Sequence, residues 1–159
     1  MNIFKPKEIY RRVNDISLDY LTNDVNIKGL IFDFDGTITF NRRLPIETIE
    51  FIREAKKQNL KVSVLSNNVF VSNKILKLLK IRTVKKFALK PLKKPFLEMA
   101  RTMELDPKNI AVIGNNRISD ILGANRAGMY SIYIQNMNNF IYRKQIKRKL
   151  KKFGIKKIK

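Results

Sequence analysis

Apolar residues in this chain fall into short dense runs, separated by longer stretches in which they recur every three or four positions. The runs are Lys28 to Asp33, Lys61 to Leu65, Thr83 to Ala88, Ile110 to Ile113 and Met129 to Ile134. Their length and β-branched content predict five strands, the continuous ones buried on both faces. Between them, Ile49, Ile52 and Ala55 mark a helix that starts near Pro45 and closes at Gln58-Asn59. Ile75, Leu78 and Leu79 mark a second helix over about 69–80, and Phe96, Met99 and Ala100 a third over about 95–104. A fourth is expected over about 119–126, with Gly128 past its end as a cap.

Strands alternating with helices predict an α/β fold, a doubly wound and mainly parallel five-stranded sheet with right-handed crossovers. Ahead of it, residues 1–27 carry Ile9, Tyr10, Val13, Ile16 and Leu21 at mostly helical spacing. They read as an amphipathic segment that packs on the domain. The expected organisation is one domain over 1–159, with a core over 28–135 and a basic tail over 136–159.

Polar clusters follow the strands: Asp33 and Asp35 with Gly36-Thr37, then Ser66 with Asn67-Asn68, then Lys90-Pro91, then Asn115 with Asp120. Parallel strands share one carboxyl edge, where open α/β sheets place their ligands, so these clusters are expected to converge. Two carboxylates side by side repel unless a cation lies between them, which points to a hard divalent metal such as Mg²⁺. One carboxylate could attack an electrophile while the other handles a proton. A polar turn capping a helix is the bland alternative for Asp33-Phe34-Asp35-Gly36. Adding a hydroxyl, a lysine and a further acid gives the parts that metal-assisted phosphoryl transfer requires. Taken alone, Lys90 reads as a surface lysine, a reading that its register with Phe96 reverses, and Ser66 can be explained as a helix cap.

Composition narrows the chemistry. The 159 residues contain no cysteine and no histidine, which removes thiolate and imidazole chemistry and makes zinc an unexpected ligand. No run of apolar residues is long enough for a membrane span, and Met1 to Pro6 lack a signal-peptide core, so a cytoplasmic location is expected. The net charge is +21, from 34 Lys+Arg against 13 Asp+Glu, and the last acid is Asp120. Such a surface seeks polyanions: phosphorylated substrates, an anionic membrane or nucleic acid.

The four clusters resemble the four motifs of the haloacid dehalogenase (HAD) superfamily. Asp33-Phe34-Asp35-Gly36-Thr37 is similar to motif one, Leu65-Ser66-Asn67-Asn68 to motif two, Lys90-Pro91 with Phe96 to motif three, and Ile113-Gly114-Asn115-Asn116-Arg117-Ile118-Ser119-Asp120 to motif four. Phe4-Lys5-Pro6 with Tyr10, and Asp120 to Gly128 after motif four, resemble the YqeG-type phosphatases of subfamily IIIA. The resemblance implies a HAD-like Rossmannoid fold with a minimal cap, for which only Thr39 to Pro45 are available. It implies Asp33 as nucleophile through an aspartyl-phosphate, Asp35 as acid and base, and Ser66 and Lys90 as holders of the phosphoryl group. It also implies Mg²⁺ on Asp33, Asp35, Asn115 and Asp120. Asn115 departs from the family pattern, which has an acid there, and removes one negative charge from the site. The implied substrate is phosphatidylglycerophosphate. A catalytically weakened protein that binds RNA or ribosomes, and a phosphatase for a small soluble phosphate, are the rival readings.

From Phe140 to Lys159 the chain holds ten Lys/Arg and no acid, with Tyr142, Ile146, Leu150 and Phe153 spaced for one helical face. A basic amphipathic helix of this kind can lie in an anionic membrane interface, or its stripe can pack on the domain. The expectation is peripheral contact with the inner face of the membrane, favoured over nucleic acid.

Overall fold

The computed structural model describes residues 2–135. Its sheet has six parallel strands: β1 (Glu8–Tyr10), β2 (Gly29–Phe32), β3 (Lys61–Leu65), β4 (Thr83–Lys85), β5 (Ile110–Gly114) and β6 (Tyr130–Ile134). Their spatial order is β1-β6-β5-β2-β3-β4. The expected α/β architecture holds, with one strand more than the five predicted. The addition is β1, whose Glu8, Ile9 and Tyr10 pair with Ile132, Tyr133 and Ile134 of β6. A three-residue edge strand is too short to show a period of two, and its partner lies over a hundred positions away.

The helical spacing read around β1 resolves into short pieces. Val13–Asp15 forms one 3₁₀ turn and Tyr20–Asp24 one π turn. Val13, Ile16, Leu18 and Leu21 are buried against the sheet, whereas Ile9 is exposed.

Among the described residues four α-helices accompany the sheet: α1 (Ile46–Lys57), α2 (Asn73–Leu78), α3 (Lys93–Met103) and α4 (Gly123–Arg126). Helix α1 follows Pro45 and buries Thr48, Phe51, Ile52 and Ala55. Phe51 meets Phe32 of β2 edge-on, with ring centroids 6.3 Å apart, which fixes α1 over the central strand. Helix α2 begins later than its apolar spacing suggests, because Ser72 caps it through the Ile75 N–H and residues 67–71 are drawn into the loop beside the site. A π-helical turn, Arg117–Leu122, leads into α4, and Gly128 sits past its end at φ 75°.

Alternate side chains of the strands feed two cores. Leu30, Phe32, Val64, Ala111 and Ile113 pack with α1, Leu76, Leu79 and the N-terminal segment on one face. Ile31, Ile110 and Val112 pack with Phe96, Met99, Ala100 and Met103 of α3 on the other. Burying each such side chain contributes about 1.5–3 kcal/mol, which holds β2 in place between two covered faces.

Phe32 pairs with Val64 on one side and Ile113 on the other. The residues just beyond these positions therefore share one edge, and that edge carries Asp33, Ser66 and Asn115. The basic stretch expected over 140–159 lies outside the described residues. Among the described residues no helix is long and apolar enough to cross a membrane.

Candidate active site

Asp33 leaves the end of β2 with its N–H donating to the Ile113 carbonyl at 2.9 Å. That bond extends the ladder one residue past the strand and points the carboxylate out of the sheet edge. The Lys90 ammonium lies 2.7 Å from Asp33 Oδ1 and 2.6 Å from Asp120 Oδ1. Lys90 and Asp120 have side chains only 2% and 1% exposed. Two carboxylates thus share one buried cation, an arrangement that is tolerable only when the remaining oxygens are also satisfied.

Asp120 meets that condition. Its Oδ2 accepts from the Asn116 N–H at 3.0 Å and its Oδ1 from the Ser119 hydroxyl at 3.2 Å. A Cβ on Gly114 would lie 2.4 Å from Asp120 Oδ2, so only glycine lets this carboxylate pack against the end of β5. Asn116 in turn accepts from the N–H groups of Ile118 and Ser119, which starts the π-helical turn that carries Asp120.

Lys90 is held by its backbone. Its N–H donates to Asn67 Oδ1 at 2.7 Å, and its carbonyl accepts from Asn67 Nδ2 at 3.0 Å. The loop after β3 and the loop after β4 are further joined by Ser66 N–H to Lys85 O and Ala88 N–H to Ser66 O, each at 3.0 Å. The Lys90-Pro91 peptide is cis. Ser66 is buried and its Oγ accepts from the Asn68 N–H at 3.0 Å, which leaves the hydroxyl hydrogen to turn toward an anion. The helix cap in this region is Ser72, not Ser66.

Asp35 faces a different environment. It is exposed, and its Oδ2 accepts from Asn68 Nδ2 at 3.0 Å. Beside it opens a crevice of about 650 Å³, lined among others by Asp35, Arg42, Asn68, Phe70 and Ile75. Its outer wall is a two-residue hairpin in which Phe40 and Arg43 exchange hydrogen bonds of 2.8 Å, with Asn41 and Arg42 at φ 48° and 62°. Among the described residues, this hairpin lies within the Thr39 to Pro45 stretch expected to form the cap. Gly36, at φ 82°, carries the chain between Asp35 and the hairpin, and a Cβ there would fall 2.1 Å from Asn115 Nδ2. Asn115 is therefore seated against the turn that bears both aspartates.

Electrostatics separate the groups further. Burial pushes the Asp33 carboxyl up, the Asp120 charge adds to the rise, and Lys90 opposes both, leaving Asp33 at about 7. Burial pulls Lys90 down, but Asp120 and Asp33 more than reverse it, so Lys90 stays a cation.

All the residues expected at the site are accordingly at one edge: Asp33, Lys90 and Asp120 in direct contact, Asp35 with Asn68, Ser66 in the intervening loop, and Asn115 against Gly36. Asn67 and Asn68 have specific positions that their spacing did not disclose, although three polar residues in a row after a strand were the available sign. The candidate ligands offer only oxygen and amide groups, which suits a hard cation in kind. Among the described residues, no three acidic side chains are gathered to hold one, which agrees with the charge missing at Asn115.

Residues 1–137 match the family described as mitochondrial PGP phosphatase. A probable phosphatase, YqeG, from Bacillus subtilis (strain 168) is 33% identical over 159 residues, covering 92% of this chain and 89% of the relative. Two solved structures share the fold: a hypothetical protein from Xanthomonas campestris, with TM-score 0.62, 15% identity and coverage of 80% of this chain and 74% of that one; and a putative HAD superfamily (subfamily III A) hydrolase from Legionella pneumophila, with TM-score 0.53, 17% identity and coverage of 61% and 59%. With four strand-end motifs converging on one edge and a family match over most of its length, the chain belongs to the mitochondrial PGP phosphatase family and is a phosphatase of the HAD type.

Proposed function

We propose that the chain hydrolyses phosphatidylglycerophosphate by way of an aspartyl-phosphate on Asp33, and that it does so in contact with an anionic membrane. The observation that carries the chemistry is the contrast at the edge of β2. Asp33 is inside, paired to Lys90, and Asp35 is outside, facing an open crevice. The lipid substrate is supported by the family match, by the net charge of +21 and by the minimal cap, which leaves room for a bulky leaving group.

In this reading, an Asp33 oxygen attacks phosphorus as the bond to the ester oxygen breaks. Asp35 gives its proton to the departing alkoxide. It then takes a proton from the water that attacks the acyl phosphate, releasing inorganic phosphate and restoring Asp33. Lys90 and the Ser66 hydroxyl hold the equatorial oxygens. Mg²⁺ would be held by Asp33, Asp120, the Asp35 carbonyl and Asn115, and would supply positive charge to the nucleophile and the phosphoryl group. Asn67 keeps Lys90 at its height above the sheet, and Asn68 orients Asp35.

The test is phosphate release from an aryl phosphate across a Mg²⁺ titration, followed by phosphatidylglycerophosphate and glycerol phosphate as competing substrates. Turnover that needs Mg²⁺, disappears in Asp33→Asn and favours the lipid by at least tenfold is the expected result. Turnover without Mg²⁺ removes the metal from the reading, and equal rates on the soluble phosphate remove the lipid.

A further inference from the structure

Twelve large hydrophobic side chains are exposed among the described residues, and half of them stand on the loops that frame the catalytic edge. Val69 and Phe70 follow β3, Phe87, Leu89 and Leu92 follow β4, and Ile118 follows β5. Phe70 is 86% exposed and Phe87 63%. Single exposed apolar residues are ordinary, but a set of them gathered on one edge of a sheet marks a contact surface.

The backbone accepts strain to display two of them. Phe87 and Leu89 lie at φ 49° and 58°, in the left-handed region that bulky side chains rarely occupy, while Ala88 between them is buried. The fold has turned the two large residues outward and the small one inward. The loops are also held firm, since Lys86 Nζ donates to the Val71 carbonyl at 3.2 Å in addition to the bonds through Ser66 and Asn67.

Charge identifies the partner. Lys86, Lys93 and Lys94 are exposed and flank Phe87, Leu89 and Leu92 in the chain. Arg42 and Arg43 add two more cations on the cap hairpin. Glu98 pairs with Lys85 and Lys94, and Asp35 lines the crevice beside Phe70 and Arg42, so the cations of this edge are only partly balanced. Aromatic and aliphatic tips set among cations that outnumber the acids beside them suit the headgroup layer of an anionic bilayer, where the tips enter the acyl boundary and the lysines meet phosphate.

We propose that the loops after β3, β4 and β5 form a rim that seats this edge of the sheet on an anionic bilayer. The inference rests on the proposed lipid substrate, whose phosphomonoester would then reach Asp33 without the lipid leaving its leaflet. The rim's role is separate from the basic tail, because its residues stand on the loops around the site itself.

The chain has no tryptophan, so a single one reports its own surroundings. Phe87→Trp places it on the rim and Leu78→Trp at the end of α2, toward the opposite edge. With vesicles of phosphatidylglycerol and brominated phosphatidylcholine, Trp at 87 should shift to the blue and be quenched, and Trp at 78 should do neither. The double variant Phe87→Asn, Leu89→Asn suits the left-handed backbone better, so its melting temperature should hold or rise while its affinity for anionic vesicles falls at least tenfold. Unchanged vesicle affinity in that variant, no binding by the parent chain, or equal quenching at both positions overturns the rim. Hydrolysis of a soluble aryl phosphate, read in the same variants, reports the catalytic reading independently: loss of rim binding should leave it unchanged.

Discussion

Asp33 and Asp35 are two residues apart in sequence and belong to two different solvents. Asp33 is shut in with Lys90 and Asp120, its carboxyl raised to about 7 by burial first and by Asp120 second. Asp35 stands at the mouth of a crevice with one asparagine as its partner. The strand end makes the difference. Asp33 is still tied to the ladder through the Ile113 carbonyl, whereas Asp35 has entered the turn and its bridge is to Thr39 of the cap. A nucleophile needs fixed aim and a dry surrounding, while an acid that serves both leaving group and water needs access. In the proposed reaction, one short turn would supply both.

The most disruptive way to break this contrast is Asp33→Asn, which keeps the shape and removes the proposed nucleophile. Turnover should fall on the order of 10³-fold or more. Stability should move the other way. A carboxyl whose folded-state value lies above its unfolded value binds protons on folding, so the native protein loses stability as pH climbs from about 4 to about 7. In metal-free buffer the melting temperature of Asp33→Asn should therefore exceed that of the parent by a margin that grows across this window and levels off above it. A parent that is the more stable at pH 8 would show that Lys90 outweighs burial.

Lys90→Ala attacks the inner half from its other partner. It leaves two buried carboxylates facing each other, which should cost about 3–5 kcal/mol in denaturant unfolding, and it should lower turnover roughly 10²–10³-fold. The outer half responds more gently. Asp35→Asn should reduce turnover about 10²-fold or more, with little change in stability because the group is exposed. Asn68→Ala should cost about tenfold, since Asp35 remains but loses its orientation. If Asn68→Ala shifts the pH profile of turnover while Lys90→Ala does not, the proton is handled in the outer half as proposed.

The inner half was largely legible from sequence, because parallel strands convert four separated clusters into one edge and the dense apolar runs mark those strands clearly. Asp33 and Asp120 followed from that rule, whereas Lys90, which taken alone reads as a surface lysine, was singled out by its register with Phe96 in the resemblance to motif three. The outer half was not. The position of Asn68 depends on residues 67–71 remaining a loop, yet Ile75, Leu78 and Leu79 continue a helical pattern that hides where α2 begins. Strand β1 was hidden for a related reason. Its three residues take their hydrogen bonds from β6, and Ile9, Val13 and Ile16 happen to recur at helical intervals while belonging to three different local structures. Local period reports long elements well and says little about short ones whose partners are remote.

Asn115 lies where the two halves meet, its amide against Gly36 and thus beside the turn that divides Asp33 from Asp35. Replacing it with aspartate sharpens the comparison with the smallest structural change. A fourth carboxylate at this edge adds a charged oxygen ligand beside Asp33 and Asp120 and should lower the Mg²⁺ concentration for half-maximal turnover about tenfold, with a modest effect on the rate at saturation. Without metal the same charge lies near Asp33 and Asp120, so folding stability at pH 8 should drop and recover as Mg²⁺ is added. An Asn115→Asp protein with an unchanged Mg²⁺ requirement and unchanged metal-free stability would mean that this side chain serves the turn alone. Asp33 and Asp120 would then be the charged ligands on which the metal depends.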